Sequence, residues 1–155
     1  MVNESARMPV EDRLGQYIKQ TEQAINGRKE HAMRALDLTV PQYAALLTLS
    51  GTEGMSGAKL ARRCMVTPQT MTTILSNLSA KGLVSRTESP DHTRVLITRL
   101  TPAGKRKLKQ ADAKAVAIER FLAEEFTPDE AEELRSLLTR ASNRLAQFRQ
   151  PEKKG

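Results

Sequence analysis

Six polar, uncharged side chains, Gln69, Thr70, Thr72, Thr73, Ser76 and Asn77, form the chemically most suggestive group in this chain. Their types suit hydrogen bonding to base edges. Gln and Asn pair bidentately with adenine, Ser and Thr bond to several bases, and a threonine methyl can meet the methyl of thymine. Helical stepping of about 100° per residue sets them opposite or beside Met71, Ile74, Leu75 and Leu78, whose i, i+3, i+4, i+7 spacing marks a core face. An exposed helix face normally carries charges, and this one has none before Lys81. The absence of arginine there argues against guanine reading by the helix itself.

Groups suited to phosphate surround this face. Ser56, Lys59, Arg62 and Arg63 precede it, Thr67 stands at its start, and Lys81 and Arg86 follow it. Arg94 lies further on, placed to enter a flanking minor groove. No acidic residue occurs in 54–87, and eleven Lys and Arg in 54–109 stand against only Glu88 and Asp91, a net of +9. The whole chain of 155 residues carries +7, so the flanks together are slightly acidic. A basic centre between near-neutral ends is the electrostatic footprint of a nucleic-acid-binding segment, and double-stranded DNA is the expected partner. Lys105, Arg106 and Lys107 fit a solvated helix face as well as a phosphate contact.

Other chemistries find little support. A single cysteine, Cys64, excludes an intramolecular disulfide framework and multi-cysteine zinc sites. His31, His92 and Cys64 are scattered, so neither a metal nor any other cofactor is expected. Gly51, Gly54 and Gly57 lack the Gly-Lys-Ser/Thr ending of a phosphate loop, and there is no His-Glu-x-x-His or nucleophile elbow, so no enzyme is expected. Cys64 beside Arg62 and Arg63 opens a second reading, a thiol that responds to oxidants, against that of a small residue packing a turn. A third reading is an adaptor whose winged helix binds another protein. The first thirty residues are punctuated by charges, and no apolar run is long enough to span a bilayer. A cytoplasmic protein without a membrane partner is expected.

The elements that would position these groups follow from caps and periodicity. Leu14, Ile18, Ile25, Ala32 and Leu36 recur at helical spacing over residues 10–36. Thr39-Val40-Pro41-Gln42 fits a capping box opening a helix whose core face is Tyr43, Leu46, Leu47 and Leu49. Ser56 can cap a short helix reaching Arg63, and Thr67-Pro68 opens a second that runs to Ala80, with Gly82 as its left-handed stop. Residues 83–87 and 94–100 alternate as two strands about the turn Ser89-Pro90-Asp91-His92, with Leu96, Thr98 and Leu100 on one face. Thr101-Pro102 begins a long helix carrying Leu108, Ala111, Ala115, Ile118 and Leu122. Thr127-Pro128-Asp129-Glu130 is a further capping box, before a stripe of Leu134, Leu138, Ala141, Leu145 and Phe148. Two heptad-like stripes predict a bundle with a second copy of the chain.

The expected fold is mainly α with a small β-hairpin wing: a winged helix-turn-helix plus a helical dimerisation region. Residues 1–37 would be a dimerisation helix, 38–104 the winged helix-turn-helix, 105–149 further dimerisation helices, and 150–155 a disordered tail.

Four pieces in register resemble the MarR family of bacterial transcriptional regulators. They are Leu38-Thr39-Val40-Pro41-Gln42-Tyr43-Ala44-Ala45-Leu46, then Val66-Thr67-Pro68-Gln69-Thr70-Met71-Thr72, then Leu78-Ser79-Ala80-Lys81-Gly82-Leu83-Val84-Ser85-Arg86, and the wing exit from Arg94 through Leu100-Thr101-Pro102-Ala103-Gly104. The resemblance implies a homodimer acting in the bacterial cytoplasm on nucleoid DNA, usually as a repressor at short palindromes. It also implies release by a small, often aromatic or phenolic effector bound between the dimer region and the DNA-binding lobe. Tyr17, His31, Met33 and Tyr43 lie where such a pocket would form. One departure is visible. The family often places Asp-x-Arg at the wing, whereas here His92 fills the Asp position and Asp91 comes one residue early, where it would support Arg94 from an altered turn.

Overall fold

A computed structural model describes residues 8–89 and 95–148. A short 3-10 turn, Val10–Asp12, precedes α1 (Leu14–Arg34), which is followed by α2 (Val40–Ser50), β1 (Met55–Ser56), α3 (Gly57–Arg63) and α4 (Pro68–Ala80). Then come β2 (Val84–Glu88), β3 (Leu96–Leu100), α5 (Pro102–Ala123) and α6 (Pro128–Ala146). The chain divides into two compact units, Met1–Ile118 and Glu119–Gly155. The mainly helical architecture with a small antiparallel sheet is the one the sequence predicts.

In the first unit each helix of the motif starts where its cap demands. The Thr39 hydroxyl accepts from the Gln42 N–H at 3.2 Å while Gln42 Oε1 accepts from the Thr39 N–H at 3.1 Å, a closed capping box on α2. Ser56 Oγ accepts from the Lys59 N–H, and Thr67 Oγ1 from the Thr70 N–H, so α3 and α4 each begin with one orphan donor satisfied. The core is built from Leu46 and Leu49 of α2, Leu60 of α3, the Met71, Ile74, Leu75 and Leu78 stripe of α4, and Leu108, Ala111 and Ala115 of α5.

The end of α4, the start of β2 and the start of α5 are bound together by three residues. Gly82 takes the left-handed φ of 67° that stops α4. The Thr101 hydroxyl donates to the Gly82 carbonyl at 2.7 Å and accepts from the Gly104 N–H at 3.0 Å. At Gly104 a Cβ would lie 2.0 Å from the Leu83 carbonyl oxygen, so no larger residue fits. This arrangement gives the Lys-Gly-Leu-Val and Leu-Thr-x-x-Gly pieces a shared physical reason.

Three details depart from the sequence reading. Strand β1 pairs with β3 to give a three-stranded antiparallel order β1-β3-β2, with Met55 opposite Thr98. The first helix starts four residues later than its periodicity suggests, because Arg13 is extended, with φ −82° and ψ 97°. Its Leu14 and Ile18 lie exposed, and Met33 alone of α1 is buried. The outer strand begins at Leu96, and the turn residues 90–94 lie outside those described. The other unit contains α6, whose Thr127–Glu130 capping box is closed in both directions and which buries no residue.

Candidate nucleic-acid interface

The α4 helix separates its two faces cleanly. Met71, Ile74, Leu75 and Leu78 are buried, whereas Gln69, Thr70, Thr72, Thr73, Ser76 and Asn77 are all exposed. Not all of these polar groups are equally available. The Thr72 hydroxyl donates to the Pro68 carbonyl at 2.9 Å and that of Thr73 to the Gln69 carbonyl at 3.4 Å. Thr70 and Thr67 share a hydroxyl–hydroxyl bond at 2.8 Å. With their protons committed, Thr72 and Thr73 retain an acceptor oxygen and a methyl. Among the described residues, Gln69, Ser76 and Asn77 have no intramolecular side-chain partner, so two amides and one hydroxyl stand ready with full bonding capacity.

Cations flank this face on neighbouring elements. Lys59, Arg62 and Arg63 on α3 and Arg86 on β2 are exposed. Ser56 is half-buried, its oxygen engaged in capping α3. The α3–α4 turn is made by Met65, a non-glycine residue at φ 56° that leaves its side chain 91% exposed; nothing in the sequence marked it. Lys81 differs from the other cations, because its ammonium is engaged with Asp37. Arg94, and the Asp91 expected to support it, lie outside the described residues.

The wing base is held by a residue that sequence reasoning left without a role. Arg99 Nε donates to the Glu53 carbonyl at 2.8 Å and Arg99 Nη1 to Thr87 Oγ1 at 2.9 Å, tying the loop before β1 to the hairpin. Gly54, at φ 119°, permits that approach, since a Cβ there would meet Arg99 Cγ at 2.7 Å. Cys64 is half-buried against the core, its sulfur 3.6 Å from Thr48 Oγ1.

The four residues expected near an effector do not form one cluster in the single chain. Tyr17 is exposed and donates to the Glu11 carbonyl at 3.2 Å, and His31 is exposed fourteen residues further along α1. Met33 is fully buried, and the Tyr43 hydroxyl donates to Asp112 Oδ1 at 2.8 Å, tying α2 to α5. A cavity of about 390 Å³ does open at the α1–α2 junction, lined by Glu30, Arg34, Asp37 to Pro41 and Lys81, and contains none of the four. No helix is long and apolar enough to cross a membrane among the described residues.

Comparison with known proteins agrees with this geometry. The model of the MarR family matches residues 36–95. An HTH-type transcriptional repressor of Mycobacterium tuberculosis is 36% identical over 107 residues, covering 69% of this chain and 77% of the relative. The crystal structure of a probable transcriptional regulator from Pseudomonas aeruginosa superposes with a TM-score of 0.78 at 29% identity, covering 86% of this chain and 99% of the other. The MepR–DNA complex of S. aureus shares the fold, with a TM-score of 0.80 at 20% identity over 84% of this chain and 97% of the other.

Proposed function

The chain belongs to the MarR family of transcriptional regulators, and from that premise we propose that it is a homodimeric repressor of a short palindromic DNA site. The relatives just described are regulators, not enzymes. The observation that carries the DNA reading is the exposed, charge-free face of α4 set between exposed cations of α3 and β2. A merely solvated helix has no reason to exclude charge, whereas a helix reading adenine and thymine edges needs amides, hydroxyls and methyls.

Within this proposal Gln69, Ser76 and Asn77 read bases, with Thr70, Thr72 and Thr73 adding acceptors and methyls. Lys59, Arg62, Arg63 and Arg86 contact phosphates, with Ser56 and Thr67 at the two helix starts. Arg94 enters the minor groove, supported by Asp91, on the strength of the sequence pattern alone. Residues 1–37 and 105–149 form the dimerisation region, and the α6 stripe, uncovered in one copy, supports that assignment. Two recognition helices related by a two-fold axis would then meet successive major grooves about 34 Å apart. A small, often phenolic or aromatic effector favours a state in which that spacing is lost. The effector rests on family membership.

The test is selection of bound duplexes from a random library, followed by titration of the winner across a salt series. A palindromic consensus bound two chains per duplex is expected, with the logarithm of affinity falling by about 0.9 per phosphate contact for each logarithm of salt. Recovery of no consensus would overturn the sequence-specific reading and leave non-specific DNA coating or a protein-binding winged helix.

A further inference from the structure

The cation at the end of the recognition helix has a partner of its own. Lys81, the C-cap of α4, places Nζ 3.1 Å from Asp37 Oδ2 and also donates to the Asp37 backbone carbonyl. Asp37 lies in the turn between α1 and α2 and holds a left-handed φ of 54°, a conformation that Asp and Asn tolerate better than most residues. One residue earlier, the Leu36 carbonyl accepts from Lys107 Nζ of α5 at 3.3 Å. Two ammonium groups therefore converge on backbone carbonyls of the turn that follows α1. One comes from the recognition helix and the other from α5, and all of these residues lie in the same compact unit.

We propose that Lys81 is a positioning residue and not a phosphate contact: it is a strut fixing the C-terminal end of α4 to the α1–α2 turn. The inference rests on the DNA-binding reading and refines it. Two of the three donors of the Lys81 ammonium are engaged with Asp37, and a phosphate approaching the third would meet the Asp37 carboxylate on arrival. The buried stripe of α4 fixes its inward face, while the ion pair with the Asp37 carboxylate, alongside the bond to the Asp37 carbonyl, holds the end of the helix. That end sets the tilt at which Gln69, Ser76 and Asn77 present themselves. The ion pair is exposed, with the Asp37 side chain 87% accessible, so its energetic weight is small and its effect belongs in specificity more than in stability.

A double-mutant cycle on the full chain decides the matter. Asp37→Asn, Lys81→Gln and the double variant are titrated with the selected duplex and with a scrambled one, each across a salt series. Asn suits the left-handed backbone at position 37, so the fold survives the substitution. A strut predicts that Asp37→Asn lowers the preference for the selected duplex about threefold, although it removes a negative charge that would oppose DNA. Lys81→Gln produces the same loss with an unchanged salt slope, and the double variant is no worse than either single one. The proposal is overturned if Asp37→Asn tightens binding or leaves the preference unchanged while Lys81→Gln flattens the slope by about one ion. A wild-type chain without any preference for the selected duplex overturns the DNA reading and the strut together. A wild-type preference that Asp37→Asn fails to alter overturns the strut alone.

Discussion

Helices α4 and α6 open on the same chemistry and end in different situations. Each begins Thr-Pro, Thr67-Pro68 or Thr127-Pro128, and in each the threonine hydroxyl accepts from the backbone N–H three residues on. Each then carries an apolar stripe at helical spacing. On α4 the stripe is buried to the last residue, and what remains exposed is uncharged and polar. On α6 nothing is buried, and Leu134, Leu137, Leu138 and Leu145, with Phe148 just past its end, stay open to solvent. Local rules make both helices; what each helix meets decides which face is satisfied. The open face of α4 is polar because its proposed partner is polar and charged. The open face of α6 is apolar, which is the pattern of a helix that meets another apolar surface.

The largest effects should separate the two stripes. Leu78→Ala removes a fully buried side chain from α4 and should cost about 3 kcal/mol of unfolding free energy, measured by urea denaturation. Leu138→Asp, at a position exposed in one copy, should instead weaken self-association at least about tenfold, equivalent to about 1.4 kcal/mol. Sedimentation at graded concentrations checks this. A wild-type chain that stays monomeric at every concentration would break the comparison, leaving the α6 stripe without its partner.

The caps give smaller effects that sharpen the same contrast. Thr67→Ala and Thr127→Ala should each cost about 1 kcal/mol, read as lowered thermal stability. Only the α6 cap should respond to pH. Hydrogen bonds from the Thr127 backbone and hydroxyl hold the Glu130 carboxyl below its ordinary value. A depressed folded-state value means that the stabilisation is present at neutral pH and fades as the pH falls through the range just below that of an ordinary glutamate. Thermal melts of wild type and Thr127→Ala should therefore draw closer in acid without meeting, because the bond from the Glu130 N–H to the Thr127 hydroxyl is uncharged and is lost at every pH, while the deficit of Thr67→Ala stays constant; parallel curves throughout would assign the α6 cap to uncharged bonds alone.

Much of this was legible in the chain because it is written locally. Thr39, Ser56, Thr67 and Thr127 cap the helices their positions announce, and Gly82 stops α4. The division of α4 into buried and exposed faces follows from spacing alone. What was hidden depends on residues far apart in sequence. Strand β1 is two residues long, too short to show alternation, and exists because β3 offers it an edge. The partner of Lys81 lies 44 residues away, at a left-handed position that Asp tolerates but that no local pattern announces. Met33 reads as one more apolar residue on α1 yet is the one residue that helix buries, while Leu14 and Ile18, equally apolar, remain open. Periodicity shows that a helix has a face; it does not show how much of that face one copy of the chain covers.

In the proposed complex the charge-free face of α4 reads bases. The most direct test of this is to repeat the duplex selection with Gln69→Ala, a substitution at an exposed position whose amide has no intramolecular partner among the described residues. Base preference should relax at one position in each half-site, by about 1–3 kcal/mol of discrimination, while the rest of the consensus and the salt slope are kept. Recovery of the same consensus at the same strength would contradict it, and α4 would then be a scaffold for readers elsewhere in the protein.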